Sequence, residues 1–86
     1  RDALVVENAR LRIQAQEAFD PESLEALYRG LAAEMGLKLV DLAQLTRIAM
    51  TGKTASPPIF EVTAVLGKAE TLARLEAARA ALERGR

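Results

Sequence analysis

A chain of 86 residues has room for one hydrophobic core, because domains usually run to roughly 100 to 150 residues and one this small buries only about 60 to 65 % of the surface its open chain exposes. Half of it is apolar and 28 % is charged, which excludes both a disordered tail and a membrane span of about 20 apolar residues. Twelve Lys plus Arg balance twelve Asp plus Glu, so no overall basic field points to a nucleic acid or an anionic membrane, and any charged surface must be local.

With no Cys and no His, the chain lacks disulfides, the usual zinc ligands, the commonest general base and the most nucleophilic side chain. Carboxylates, lysines and hydroxyls remain, a poor set for a freestanding enzyme, and no metal site is expected. The missing cysteines fit a cytoplasmic protein, and no apolar signal segment opens the chain. It begins with Arg1 and not with Met, so a piece of something longer is expected.

The aromatic residues are Phe19, Tyr28 and Phe60, and β-branched residues are too scattered for the period-two runs of strands, so the chain reads as all-α. A first helix is predicted over Asp2 to Phe19, with Leu4, Leu11, Ala15, Ala18 and Phe19 on its inner face. Val5, Val6 and Ile13 fall off that stripe, as in a loosely amphipathic terminal helix or one that meets a neighbouring domain. Asp20 as a cap and Pro21 at the first helical position open a second helix, which runs to Met35 with Gly36 as its left-handed terminator. Leu24, Leu27, Tyr28, Leu31 and Met35 form its apolar face.

Leu37 to Val40 reads as a connector, after which Asp41 is expected to cap a third helix with Leu42, Leu45 and Ile48 or Ala49 inward and Gly52 at its end. Lys53 to Ala55 is a short loop. Ser56 then caps a fourth helix with Pro57 and Pro58 in its first turn, Ile59, Val62, Thr63 and Leu66 inward, and Gly67 closing it. A fifth helix carries Leu72, Leu75, Ala78 and Leu82, with a tail expected to fray from Glu83 onward. Short connectors imply one compact bundle of about five short helices over residues 1–86, with neither linker nor internal repeat.

Gly52, Lys53 and Thr54 invite comparison with a phosphate-binding loop, but that motif needs a glycine where Arg47 stands and a preceding strand where a helix is predicted. Asp41, Glu61 and Glu70 read as solvated helix charges. Less ordinary is the stretch from Leu42 to Phe60, which contains no acidic residue while Arg47 and Lys53 flank a proline-stiffened turn. An anionic chain meets no repulsion there. A guanidinium presents five donors in a planar fork suited to the acceptors of an unstacked base or a phosphate, Thr54 and Ser56 add hydroxyls, and Ile59 offers an apolar contact.

The run from Arg47 through Ile48, Ala49, Met50, Thr51 and Gly52 to Ser56, Pro57, Pro58, Ile59, Phe60 and Glu61 closely resembles the arginine, apolar, alanine, apolar, threonine, glycine signature and the following Ser-Pro-Pro-apolar-Phe-Glu near the C-terminus of bacterial glutamyl-tRNA synthetases. Leu24 to Leu39 is similar to that family's helix ending in a Gly-Leu-Lys-Leu turn, and Leu66 to Leu75 to its closing helix. The resemblance spans about Asp20 to Leu75 and is indistinct over the first helix.

It implies the last, all-helical anticodon-binding subdomain of a class I ligase that joins glutamate to its tRNA using ATP with Mg. The family's histidine-containing ATP motif cannot occur in this chain, and no lysine-rich ATP loop is present, so catalysis belongs to an N-terminal portion outside it, and no catalytic residue or cofactor is expected here. By the same resemblance Arg47 meets the first anticodon base, while Ser56 and Ile59 help to hold the first two. Where the family carries Pro-Leu ahead of the arginine, this chain has Leu45 and Thr46. The implied partner is the anticodon loop of a glutamate-accepting tRNA, bound by a monomer, with no role for DNA or membrane. The competing reading is a helical protein-interaction module without RNA contact, suggested by Val5, Val6 and Ile13; a DNA-binding helix-turn-helix lacks its basic recognition helix.

Overall fold

Proline and glycine set most of the helix boundaries in the computed structural model of the chain, which describes residues 1–53 and 57–85. The helices are α1 (Asp2–Ala15), α2 (Pro21–Met35), α3 (Leu39–Thr51), α4 (Ile59–Leu66) and α5 (Lys68–Arg84), and no strand occurs among the described residues. α2 has the predicted limits. Asp20 is extended ahead of Pro21, although its side chain makes no capping hydrogen bond. Gly36, at φ 68°, lets its own amide reach Ala33 O at 3.3 Å and that of Leu37 reach Ala32 O at 2.8 Å, the pair of bonds that a left-handed terminator permits.

Other boundaries differ from the sequence reading for identifiable reasons. α1 stops at Ala15, short of Phe19, because Gln16 turns extended, its side chain donating to Ala18 O at 3.0 Å and its carbonyl accepting from Lys68 Nζ at 2.7 Å. α3 starts at Leu39: the Asp41 amide already donates to Lys38 O, so Asp41 sits in the first turn, where its charge favours the amide end of the helix, and does not cap it. Pro57 and Pro58 precede α4, with Pro58 O accepting from the amides of Glu61 and Val62 at 3.0 Å each. α5 continues through Glu83, which pairs with Arg79 at 2.8 Å, to Arg84. The caps expected of Ser56 and the loop expected at Thr54 and Ala55 lie outside the described residues.

α1 and α5 run antiparallel, joined by Glu7 to Arg79 and Arg10 to Glu76 at 3.4 Å each. This seam overturns the predicted inner face of α1. Val5, Val6, Ala9 and Ile13 are buried, whereas Leu4 is 59 % and Leu11 47 % exposed. Only with the valine and alanine stripe inward do Glu7 and Arg10 lie where they meet α5. Hydrogen bonds from Arg10 to Glu7 and from Arg79 to Glu76 hold both carboxyls below the usual range. Exposed pairs of this kind contribute little, so the apolar burial beneath them holds the seam. The spare face once available for a protein partner is therefore core.

The rest of the core comes from Leu24, Tyr28, Leu31 and Ala32 of α2, Leu42 and Met50 of α3, Ile59 of α4 and Leu75 of α5, within a radius of gyration of 11.6 Å. Thr46, Thr63 and Thr71 are buried among them, and each hydroxyl donates to a main-chain carbonyl: Leu42 O at 3.2 Å, Ile59 O at 2.8 Å and Thr63 O at 3.4 Å. Burial of these hydroxyls is tolerable for that reason. No helix among the described residues is long and apolar enough to cross a membrane.

Tyr28 joins α2 to both α3 and α4. Its ring meets Phe60 edge-on, with centroids 5.1 Å apart, and its buried hydroxyl lies beside that of Thr46 without a full hydrogen bond. Burial pushes the phenol up to about 12, with the Thr46 hydroxyl acting in the opposite sense. Because the unfolded phenol titrates near about 10, the folded state holds this proton more tightly; the linked stability is complete below about pH 10 and is lost as pH rises through about 12. With one Tyr and no Trp in the chain, tyrosinate absorbance at about 295 nm should stay flat past about pH 10 and rise only with alkaline unfolding. An ordinary midpoint in a chain still folded by circular dichroism contradicts this packing.

Candidate nucleic-acid interface

The buried edge of α3 is Leu42, Thr46 and Met50, one residue per turn. Gln44, Arg47, Ile48 and Thr51 recur at three- and four-residue spacing on an adjacent face that is not closed over by the bundle. Arg47 is half-buried, neither turned into the core nor fully in solvent. Its Nη1 donates to Gln44 Oε1 at 2.7 Å. A neutral amide orients a guanidinium without cancelling its charge, so this contact steers the fork and leaves it cationic. Ile48, 44 % exposed, follows Arg47 and borders an open apolar groove of about 560 Å³ between α3 and α5.

Just beyond Arg47 the helix ends. Gly52 takes φ 73°, and its amide donates to Ile48 O at 2.8 Å. The Thr51 hydroxyl donates to Arg47 O at 2.9 Å and accepts from the Lys53 amide at 3.1 Å, tying the turn back to the helix that carries the arginine. From α5, Arg74 Nη1 donates to Met50 O while its Nε donates to Glu70 at 2.8 Å. The carbonyl end of α3 would otherwise present partial negative charge beside Arg47 and Lys53. Arg74 covers part of it.

Of the residues singled out from sequence, the structure brings Arg47 and Lys53 to the same end of α3, with Lys53 exposed. Thr54 and Ser56 lie outside the described residues. Ile59 is 2 % exposed and belongs to the core, so its side chain is not offered to an approaching base; among the described residues near the turn, Pro57 and Pro58 are exposed, as is Val65 further along α4. The phosphate-loop comparison has no structural support, since helix and not strand leads into Gly52. Sequence reasoning passed over Gln44, Thr51 and Arg74. Gln44 was visible as a helical neighbour of Arg47, and Thr51 stood inside the quoted signature. Arg74 meets Met50 across 24 residues of chain, which no local pattern signals.

A family model described as an anticodon binding domain matches residues 2–79 of this chain. The chain belongs to that family. The match takes in α1, over which the sequence resemblance was indistinct, and runs well into α5, so the α1–α5 seam is part of the anticodon binding domain. Among individual proteins, this domain is 47 % identical over 77 residues to a glutamate–tRNA ligase of a Roseiflexus species, covering 90 % of this chain and 15 % of that protein. It is 51 % identical over 69 residues to a glutamate–tRNA ligase of Thermus thermophilus, covering 80 % and 15 % respectively. With glutamate–tRNA ligase 2 of Rhodospirillum centenum the identity is 54 % over 59 residues, covering 69 % and 13 %. The chain thus matches about a seventh of the length of the curated relatives it is similar to.

Proposed function

We propose that this domain reads the anticodon loop of a glutamate-accepting tRNA as the C-terminal part of a glutamate–tRNA ligase. The observation that carries the reading is the placement of Arg47: half-buried, steered by Gln44, and set at the end of α3 where an acid-free stretch enters the Gly52 turn. Splayed loop bases present their Watson–Crick edges, and an arginine held by a packed helix rejects a wrong base because donors it has committed would go unpaired. Lys53, at the same end of α3, supplies a cation for phosphate, Thr54 and Ser56 supply small polar contacts, and Ile59 anchors the start of α4 in the core. The formation of the glutamyl ester, with ATP and Mg, belongs to other domains of a cytoplasmic, monomeric ligase. A net charge of zero suits this division, since most of the tRNA affinity then comes from those domains, and the 86-residue chain alone binds tRNA poorly.

Hydrogen exchange in the full-length protein tests the assignment. Saturating glutamate tRNA should slow exchange in peptides covering Arg47 to Ser56 and leave the exposed Leu4 and Leu11 face of α1 unchanged. Protection confined to other parts of this domain, with none at the α3–α4 turn, would overturn it.

A further inference from the structure

The last carbonyls of a helix have no partner within it, and at the end of α3 two side chains from different places engage this exit. Thr51 acts from within: its hydroxyl bridges Arg47 O, at 2.9 Å, and the Lys53 amide, at 3.1 Å, with Lys53 O also 3.3 Å away. Arg74 acts from α5, its Nη1 on Met50 O and its Nε on Glu70. Neither bond is needed to bury apolar surface, since the core contacts of this corner are made by Thr46, Met50, Ile59 and Leu75. What the two bonds define is the direction in which the backbone leaves Arg47 and enters the turn.

We infer that Thr51 and Arg74 are positioning residues for anticodon reading, which hold the Arg47 guanidinium and the Lys53 turn in one fixed relation so that a base is met by preset donors. This inference rests on the function proposed above. Arg74 also neutralises the carbonyl end of α3, so an RNA backbone approaching Lys53 is not repelled by it. Neither residue touches the RNA; both act through the helix exit.

The test is steady-state aminoacylation by the full-length protein carrying Thr51→Val, Thr51→Ser, Arg74→Met, Arg74→Lys or Arg47→Ala, with tRNA of native sequence and tRNA with the first anticodon base exchanged. Thr51→Val keeps the shape and removes the hydroxyl, and should raise KM for tRNA about fivefold while kcat falls less than about twofold. Thr51→Ser restores the bond and should restore KM. Arg74→Met should raise KM for tRNA by about fivefold or more, with Arg74→Lys, which keeps a donor and a cation, recovering most of it. Both disruptive variants should also shrink the preference for the native base, which a role in stability alone would leave intact.

A raised KM with unchanged base preference, or failure of Ser and Lys to rescue, overturns the inference. Arg47→Ala separates the two levels: if it raises KM for tRNA while Thr51→Val and Arg74→Met do not, only the positioning roles fall. If Arg47→Ala itself leaves tRNA kinetics unchanged, the anticodon reading falls as well.

Discussion

Replacing Arg47 by Ala in the full-length protein should raise the Michaelis constant for tRNA by about 5- to 150-fold, the equivalent of about 1 to 3 kcal/mol for one well-formed bidentate base contact. The constants for ATP and glutamate should stay within about twofold, because the binding lost is remote from the reacting atoms. The effect is specific to the guanidinium. Gln44 accepts a 2.7 Å bond from the fork, and a lysine in place of Arg47 would keep the charge yet lose the planar pair of donors. Arg47→Lys should therefore recover only a minor part of the loss, while equal rises in all three Michaelis constants would mark a general disruption of the protein.

The second large effect concerns stability. Leu75 is fully buried at the junction of α5 with the rest of the core, and Leu75→Ala removes apolar contact and leaves a cavity, costing about 2 to 5 kcal/mol. Domains of this size hold roughly 4 to 13 kcal/mol in all, so the loss is a large share of the total and should lower Tm by roughly 10 to 30 °C. Leu4→Ala and Leu11→Ala are the informative controls. Both leucines stand outside the α1–α5 seam, and their removal from this chain should change stability by about 0.5 kcal/mol or less. Thermal unfolding of the three variants decides between the observed face of α1 and the one its leucine spacing suggests.

That comparison shows where sequence pattern suffices and where it does not. α2 was legible to the residue because Pro21 and Gly36 restrict the backbone themselves, whatever surrounds them. α1 misled because apolar residues lie nearly all round it. Its leucines are bulkier than Val5, Val6 and Ala9, but the choice of face was made by apolar packing against α5, about 70 residues away in sequence, with the pairs of Glu7 and Arg10 to α5 marking the seam. The start of α3 was misplaced because Asp41 looks like a cap, whereas it serves equally well inside the first turn.

The candidate site divides along the same line. Arg47 could be picked out by residue type, by the absence of nearby acids in sequence and by the family signature. Its half-burial and its hold on Gln44 follow from helical spacing. Ile59 was chosen as an apolar surface for a base, yet it opens a short helix whose first turn faces the core and is buried there, and exposed proline stands at the surface instead. Thr46, which the apolar spacing of α3 did not single out, is accommodated in the core because its hydroxyl returns to carbonyls of its own helix. Arg74 was illegible for want of any local cue.

The most direct measurement is the ratio of kcat/KM for tRNA with the native first anticodon base to that for tRNA with this base exchanged, taken in the unaltered full-length protein and in Arg47→Ala. An arginine that reads the base gives a penalty of about 5- to 150-fold in the unaltered protein and brings it to within about twofold of none in the variant. A penalty that survives undiminished without the guanidinium would show that the base is sensed elsewhere.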